Sequence, residues 1–276
     1  MYISNTIKTD IVTITPDIAR ELLGQNTKNR KISRANLARV TAALENGEWT
    51  LNGEAIKIAR DGRVLDGQHR LYACAETGVP FQTLIVYGLP DETQDTMDTG
   101  KSRGAADVLA INGYSNPNDL AAITTGIIRM ENWGLRAATY NGAAAYPVTP
   151  KQVLQRVESE PELIDLMQYV MRVRKAGLSS KIAGILFYRF SQIDQVDAQF
   201  FFDRLISGEN LERGNPILSL RELLLNLKTE MKGARNPGYV AAVTIKAWNK
   251  FRAGEECQQL RFKQGGANPE KFPEPI

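Results

Sequence analysis

Between Arg63 and Ala73 a single glycine separates a strand from a helix. Arg63-Val64-Leu65 is a short apolar strand pattern, and Gln68 to Glu76 is helical in composition and stopped at Gly78. Only a tight turn at Asp66-Gly67 can join them, and glycine tolerates the backbone that such a turn demands. The turn points backbone N–H groups and the positive end of the helix dipole at whatever lies above it, which is how proteins hold phosphate without special chemistry. His69 and Arg70 add donors in the first helical turn, and a guanidinium grips phosphate with two parallel bonds. His69 is the single histidine among 276 residues. A plainer reading of the same residues has Asp66 capping the helix, Gly67 relieving strain, and His69 and Arg70 solvated.

Elements of mixed type surround this turn. Ile11 to Ile14 is a β-branched run, and Thr15-Pro16 supplies a cap and a first-turn proline for a helix ending near Gly24. A polar, basic loop, Gln25 to Lys31, follows. Ser33 caps a second helix, whose Leu37, Val40, Ala43 and Leu44 recur at helical spacing until Gly47. Ala55 to Ala59 and Arg63 to Leu65 form a hairpin about Asp61-Gly62, a pair suited to a type I′ turn. Phe81 to Tyr87 is another strand, followed by a short helix from Asp91, a loop at Asp98-Thr99-Gly100 and a helix to about Ile111. Together these predict an α+β domain over residues 1–113. Asn112 to Pro117 is the linker candidate. Helical stretches at Asp119 to Trp133, Pro150 to Glu158, Pro161 to Lys175, Ser180 to Gln192, Val196 to Ser207, Leu218 to Lys232 and Tyr239 to Arg252 predict an all-α domain over 118–263. The last stretch, 264–276, carries Gly265-Gly266 and three prolines, and is expected to lie extended or loose on the surface.

The residues about the turn resemble a known family. Asp66-Gly67-Gln68-His69-Arg70 is similar to the Gly-Glu-Arg-Arg box of the ParB N-terminal domain and the Gly-Cys-His-Arg box of sulfiredoxin, related folds that hold CTP or ATP phosphates on this turn. Gly67 matches the box glycine, Gln68 the Glu or Cys, His69 the Arg or His, and Arg70 the final Arg. With Gly47-Glu48-Trp49, Asn52-Gly53-Glu54 and Met97-Asp98-Thr99-Gly100-Lys101-Ser102-Arg103, the pattern looks like ParB-like proteins common in bacteriophage genomes. The likeness spans about residues 10 to 111. It implies a small mixed sheet and a nucleoside triphosphate, ATP or CTP, with Mg2+, bound by Gly67, Gln68, His69, Arg70, Lys101, Ser102 and Arg103. Glu54 and Asp66 are the candidate general base and magnesium ligands, against solvated and capping roles. Gln68 stands where sulfiredoxin carries its reactive cysteine, and Cys74 is two helical turns further on, so redox catalysis is not expected. Asp98 and Arg103 match only loosely the Glu-Asn-x-x-Arg box of the partition clamps.

Charge is unevenly placed. Residues 1–114 hold 13 Lys and Arg against 14 Asp and Glu, whereas the rest of the chain holds 21 against 17. That mild excess is compatible with nucleic acid but well below a histone-like density. Arg172, Arg174, Lys175, Lys181 and Arg189 occur without an acid between Leu166 and Ile193. A second cluster, Lys246, Lys250, Arg252, Arg261 and Lys263, interleaves with Trp248, Phe251 and Phe262, as backbone contact plus base stacking requires. Arg172, Arg174, Lys175, Lys246, Lys250 and Arg252 are therefore the candidate DNA contacts. The alternative is a core aromatic pair with lysines on the wet face.

The two cysteines, Cys74 and Cys257, are far apart and suggest buried thiols rather than a zinc cluster, and apart from Mg2+ carried with the nucleotide no metal site is expected. No apolar run is long enough to cross a bilayer and no signal peptide pattern opens the chain, so a cytoplasmic protein is expected, in the host if phage-encoded. Two functions stay open. One is a ParB-like protein that binds a nucleoside triphosphate and acts on or near DNA, as an NTPase or kinase-like phosphotransferase, with a dimer among the possible states. The other is a non-catalytic DNA-binding or regulatory protein whose turn grips backbone phosphate. A nuclease ranks third, for want of a dense carboxylate cluster.

Overall fold

The computed structural model describes residues 7–27, 29, 31–90, 93, 103–139, 145–230 and 236–276. It divides into two compact units. The first comprises the described residues up to Arg103 with 145–151, and the second those from Gly104 to 139 and from Gln152 onward.

The first unit is α+β, with a small mixed sheet. Its strands β1 (Lys8–Ile14), β2 (Ala55–Ala59), β3 (Val64–Asp66) and β4 (Phe81–Leu89) lie in the order β1-β4-β2-β3. β1 runs antiparallel to β4, β4 parallel to β2, and β2 antiparallel to β3. The helices are α1 (Pro16–Gly24), α2 (Arg34–Glu45) and α3 (Gln68–Thr77), and the first two both pack on α3. Thr15 and Ser33 cap α1 and α2 through their side-chain oxygens, as the sequence predicts. β2 is central in the sheet, and its residues are buried on both faces except Lys57. Ile14, Leu44, Ile56, Ile58, Val64, Leu71, Cys74, Phe81 and Ile85 form one core between sheet and helices. Trp49 closes its edge, meeting Phe81 edge-on at 5.0 Å and donating its indole N–H to the Gln82 carbonyl at 2.8 Å.

The hairpin differs from expectation. Gly62 N–H bonds the Ala59 carbonyl and Ala59 N–H the Arg63 carbonyl, while Gly62 alone takes a positive φ, 88°. That is a three-residue loop, Arg60-Asp61-Gly62, not a two-residue type I′ turn, which needs two left-handed residues. The expected helix from Asp91 and the loop at Asp98 to Gly100 lie outside the described residues.

The unit boundary also moves. It falls before α4 (Ala105–Ile111) rather than at Asn112 to Pro117, because α4 packs on α5 (Pro117–Thr139) and buries Leu109 completely. The expected linker is a rigid helix stop. Tyr114 N–H bonds the Leu109 carbonyl, Gly113 N–H the Ala110 carbonyl, and Gly113 is left-handed.

In the second unit α6 (Pro150–Ser159), which crosses the boundary, is followed by α7 (Glu162–Met171), a 3-10 turn (Arg172–Ala176), α8 (Ser180–Ile193), α9 (Gln195–Ser207), α10 (Pro216–Glu230) and α11 (Pro237–Arg252). Phe190, Phe201 and Trp248, all fully buried, bind α8, α9 and α11 together; the Phe190 and Trp248 rings stack at 4.2 Å. α5 breaks at Gly134 (φ 83°, ψ 170°), where the helical periodicity predicted its end, and then resumes. α5 and α8 approach closely through glycines: Ile123 packs on Gly184 and Ile185 on Gly126. A Cβ on Gly184 would lie 2.8 Å from two carbons of the fully buried Ile123. Gly184→Ala should therefore lower stability by roughly 1–3 kcal/mol, as overpacking does. Thermal or urea melts against the parent read that loss, and an unchanged midpoint would show that α5 and α8 do not meet there as described.

Candidate functional site at the Asp66 to Arg70 turn

Gly67 is left-handed (φ 101°) and opens α3 directly from β3. A Cβ built on it would lie 2.9 Å from Ile56 Cγ1 and 3.3 Å from Ile56 Cα. The glycine is thus required twice, for its backbone angle and for the close approach of the turn to β2. The space above Gly67 is filled by β2.

Asp66 is the centre of the site. Its Oδ1 accepts the Gly67 N–H at 2.7 Å, and its Oδ2 accepts Lys57 Nζ at 3.2 Å and faces the Arg70 guanidinium at 3.7 Å. Arg70 Nη2 also donates to the Ala55 carbonyl at 2.8 Å, and its side chain is 12% exposed. Arg70 therefore ties α3 to β2 instead of lying solvated. Lys57, on β2, was not singled out from the sequence, although it is the one polar residue in Ala-Ile-Lys-Ile-Ala.

The polar loop before α2 is stitched over the same turn. Gln68 is buried, and its Oε1 accepts Asn26 Nδ2 at 3.3 Å. Asn29 Nδ2 donates to Asn26 Oδ1 at 3.1 Å and to the Val64 carbonyl at 3.2 Å. His69 Nε2 accepts the backbone N–H of Ser33 at 3.0 Å, which assigns it a neutral ring with the proton on Nδ1. Asp66, Gly67, Gln68, His69 and Arg70 are thus brought together with Asn26, Asn29, Ser33 and Lys57. Glu54 is exposed; its N–H donates to Asn52 Oδ1, and its carbonyl accepts from Thr83 Oγ1 at 3.0 Å, one residue before the Ala55 anchor of Arg70. Arg103 is exposed. Lys101 and Ser102 lie outside the described residues. Cys74, on the buried face of α3, has its thiol pKa raised above the usual value by burial despite nearby Arg20, so it is poorly suited to act as a thiolate.

The basic residues of the second unit are largely engaged within it. Lys246 pairs with Glu270 at 2.5 Å, Lys250 with Glu255 at 2.7 Å, and Arg252 with both Asp194 and Asp197. These bonds raise the proton affinity of Lys250 and Arg252 and hold the Glu270 carboxyl below its ordinary value. Trp248 is a fully buried core residue, unable to stack on a base. Lys246, Lys250 and Arg252 of the α11 cluster thus each meet a carboxylate of the same unit in a partly exposed ion pair. Arg174 pairs with Asp119, an acid 55 residues away in sequence, and Arg172 lies over the Tyr169 ring at 4.7 Å. Lys175 is exposed.

Searches of protein-family models, curated proteins and solved structures find no match to the chain.

Two variants separate structure from surface. Arg70→Ala removes a hydrogen bond to a charged group at a nearly buried site and should lower stability by roughly 1.5–3 kcal/mol. Glu54→Ala, at an exposed position, should stay within about 0.5 kcal/mol of the parent in the same urea titration. Equal effects would show that the turn is not held as described.

Proposed function

We propose that the first unit binds the phosphates of a nucleoside triphosphate at the start of α3, as a ParB/sulfiredoxin-like domain. The observation that carries this reading is the convergence of Lys57 and Arg70 on the Asp66 carboxylate beside the Gly67 turn. Two cations on one internal carboxylate leave the cluster with a net positive charge, at the positive end of a helix. Lys57 is 30% exposed on its side chain and Asp66 21%, so an incoming phosphate can draw the ammonium from the carboxylate without opening the core. A triphosphate brings greater negative charge than Asp66 and accepts several donors at once.

Glu54, exposed beside the Ala55 anchor, is the residue best placed along the chain to act as a base or to meet Mg2+ carried by the nucleotide. Asp66 is less suited to that role, because its oxygens are already engaged by Lys57, Arg70 and its neighbouring N–H. Action on DNA through the second unit retains Arg172 and Lys175 as contacts, while Lys246, Lys250 and Arg252 serve internal pairs.

Thermal shift with ATP, CTP, inorganic phosphate and duplex DNA, each tested separately, discriminates the readings. A triphosphate at a hundred times its Kd should stabilise the folded protein by about 2.7 kcal/mol. Lys57→Ala should abolish most of that shift while the unliganded protein remains folded. Stabilisation by DNA alone would instead favour a turn that grips backbone phosphate, and no shift with any of the four would remove the proposal.

The second unit yields its own expectation. If DNA is bound, Lys246→Ala with Lys250→Ala should leave the slope of log affinity against log salt unchanged as long as both lysines keep their carboxylate partners in the complex. A shallower slope in the double variant would show that these ion pairs open onto DNA.

A further inference from the structure

Among the described residues β1 is the outer strand of the first unit's sheet, and only β4 pairs with it. Its Ile14 is fully buried opposite Phe81 and Val12 packs on the same core, so the residues that alternate with them belong to the sheet's other face. Ile11 lies there, as does Ile7 just before the strand, and they are 57% and 56% exposed. Such an edge invites another strand. The charges between them, Lys8 and Asp10, are exposed too and turn away any strand whose facing charges do not match.

Ile11 N–H donates to its neighbour's carboxylate, Asp10 Oδ1 at 2.8 Å, and therefore faces away from β4. Backbone groups alternate in side along a strand, so Thr9 and Ile7 also turn theirs outward, while Lys8, Asp10 and Val12 serve the ladder to β4. The segment Ile7-Lys8-Thr9-Asp10-Ile11 is its own complement when its direction is reversed. Laid antiparallel on a second copy with Thr9 facing Thr9, it sets each Ile7 opposite an Ile11 on one face and each Lys8 opposite an Asp10 on the other. Moving the centre by one residue would set Lys8 against Lys8 or Asp10 against Asp10, so the charges select one register as well as one partner.

We propose that the outer edge of β1 is an interaction surface whose partner is a second copy of this chain, the two strands pairing antiparallel about Thr9 into one continuous sheet. In the single chain the Asp10 carboxylate occupies the Ile11 N–H. On pairing, the Ile7 carbonyl of the second copy takes that N–H, and Asp10 turns to Lys8 across the junction. The contact is self-complementary, as a two-fold interface must be. One short strand pair is a small contact, so concentration decides the state.

Sedimentation equilibrium of the full chain from about 1 μM to about 1 mM should show a monomer–dimer equilibrium. Asp10→Lys sets like charges across the junction and should raise the dissociation constant about tenfold or more. Adding Lys8→Asp to that variant restores opposite charges at both pairs, and the dissociation constant should return to within about threefold of the parent's. A strand from any other partner gives no such reciprocal rescue. Thr9→Pro removes an N–H that β4 does not use, and should leave a monomer with the parent's circular dichroism. Should Thr9→Pro fail to fold, the two charge variants decide alone, since both positions are exposed. A parent that stays monomeric over the whole range, a dimer that Asp10→Lys leaves unchanged, or a double variant as weak as the single one would overturn the proposal.

Discussion

The Asp66 carboxylate is the joint on which the first unit turns. It takes the Gly67 N–H on one oxygen and Lys57 and Arg70 on the other, so a strand, the turn after it and the first turn of a helix are fixed relative to β2 by one side chain. Arg70 reaches on to the Ala55 carbonyl, which anchors α3 to β2 independently of the sheet's ladder. Partly buried charge of this kind is tolerated because Lys57 and the Gly67 N–H bond it and Arg70 faces it at 3.7 Å, and removing one partner would leave the rest poorly compensated. The loop before α2 then follows from the turn, since Asn26 answers Gln68, Asn29 answers the Val64 carbonyl, and the Ser33 N–H answers His69.

Much of this was legible in sequence where the cause is local. Thr15 and Ser33 announce their helices because a cap is a contact over three residues. Gly67 announces the strand-to-helix turn, and Gly134 coincides with the end of the predicted apolar periodicity in α5. The hairpin type was misjudged because Asp-Gly is compatible with two loop lengths, and the register of β2 against β3, with its shift between Lys57 and Ile58, decides between them. The unit boundary was misplaced for a related reason. Asn112 to Pro117 has the composition of a linker and the bonding of a helix stop, a distinction made by Leu109 burying itself against the following helix.

The chemistry of the site was legible only in part. Asp66 to Arg70 could be singled out because those residues are contiguous. Lys57 could not, since its link to Asp66 depends on β2 and β3 being paired, and Asn26 depends on a loop 42 residues from Gln68 in sequence. Cationic clusters fail as a guide for the same reason. Lys246 and Arg252 look unopposed in sequence, yet Glu270 and the pair Asp194 and Asp197 reach them from 24 and more than 50 residues away. Counting charges along a chain measures supply, whereas a surface potential depends on which charges the fold has already neutralised.

These facts bear on how a phosphate could be held at the turn. Gly67 and Arg70, the residues that carry the likeness to phosphate-binding boxes, are also those whose loss damages the fold, through Ile56 in one case and the Ala55 carbonyl in the other. A loss of binding after changing either would therefore say little about a ligand. Lys57 differs, because its ammonium serves one carboxylate at the edge of solvent and its strand is held by neighbours on both sides. Asp66 then acts as an internal competitor for the same cation. If the turn binds phosphate as proposed, a ligand gains Lys57 only by displacing a carboxylate already in place, so a single phosphate would bind weakly and a polyphosphate that meets several donors at once would be favoured.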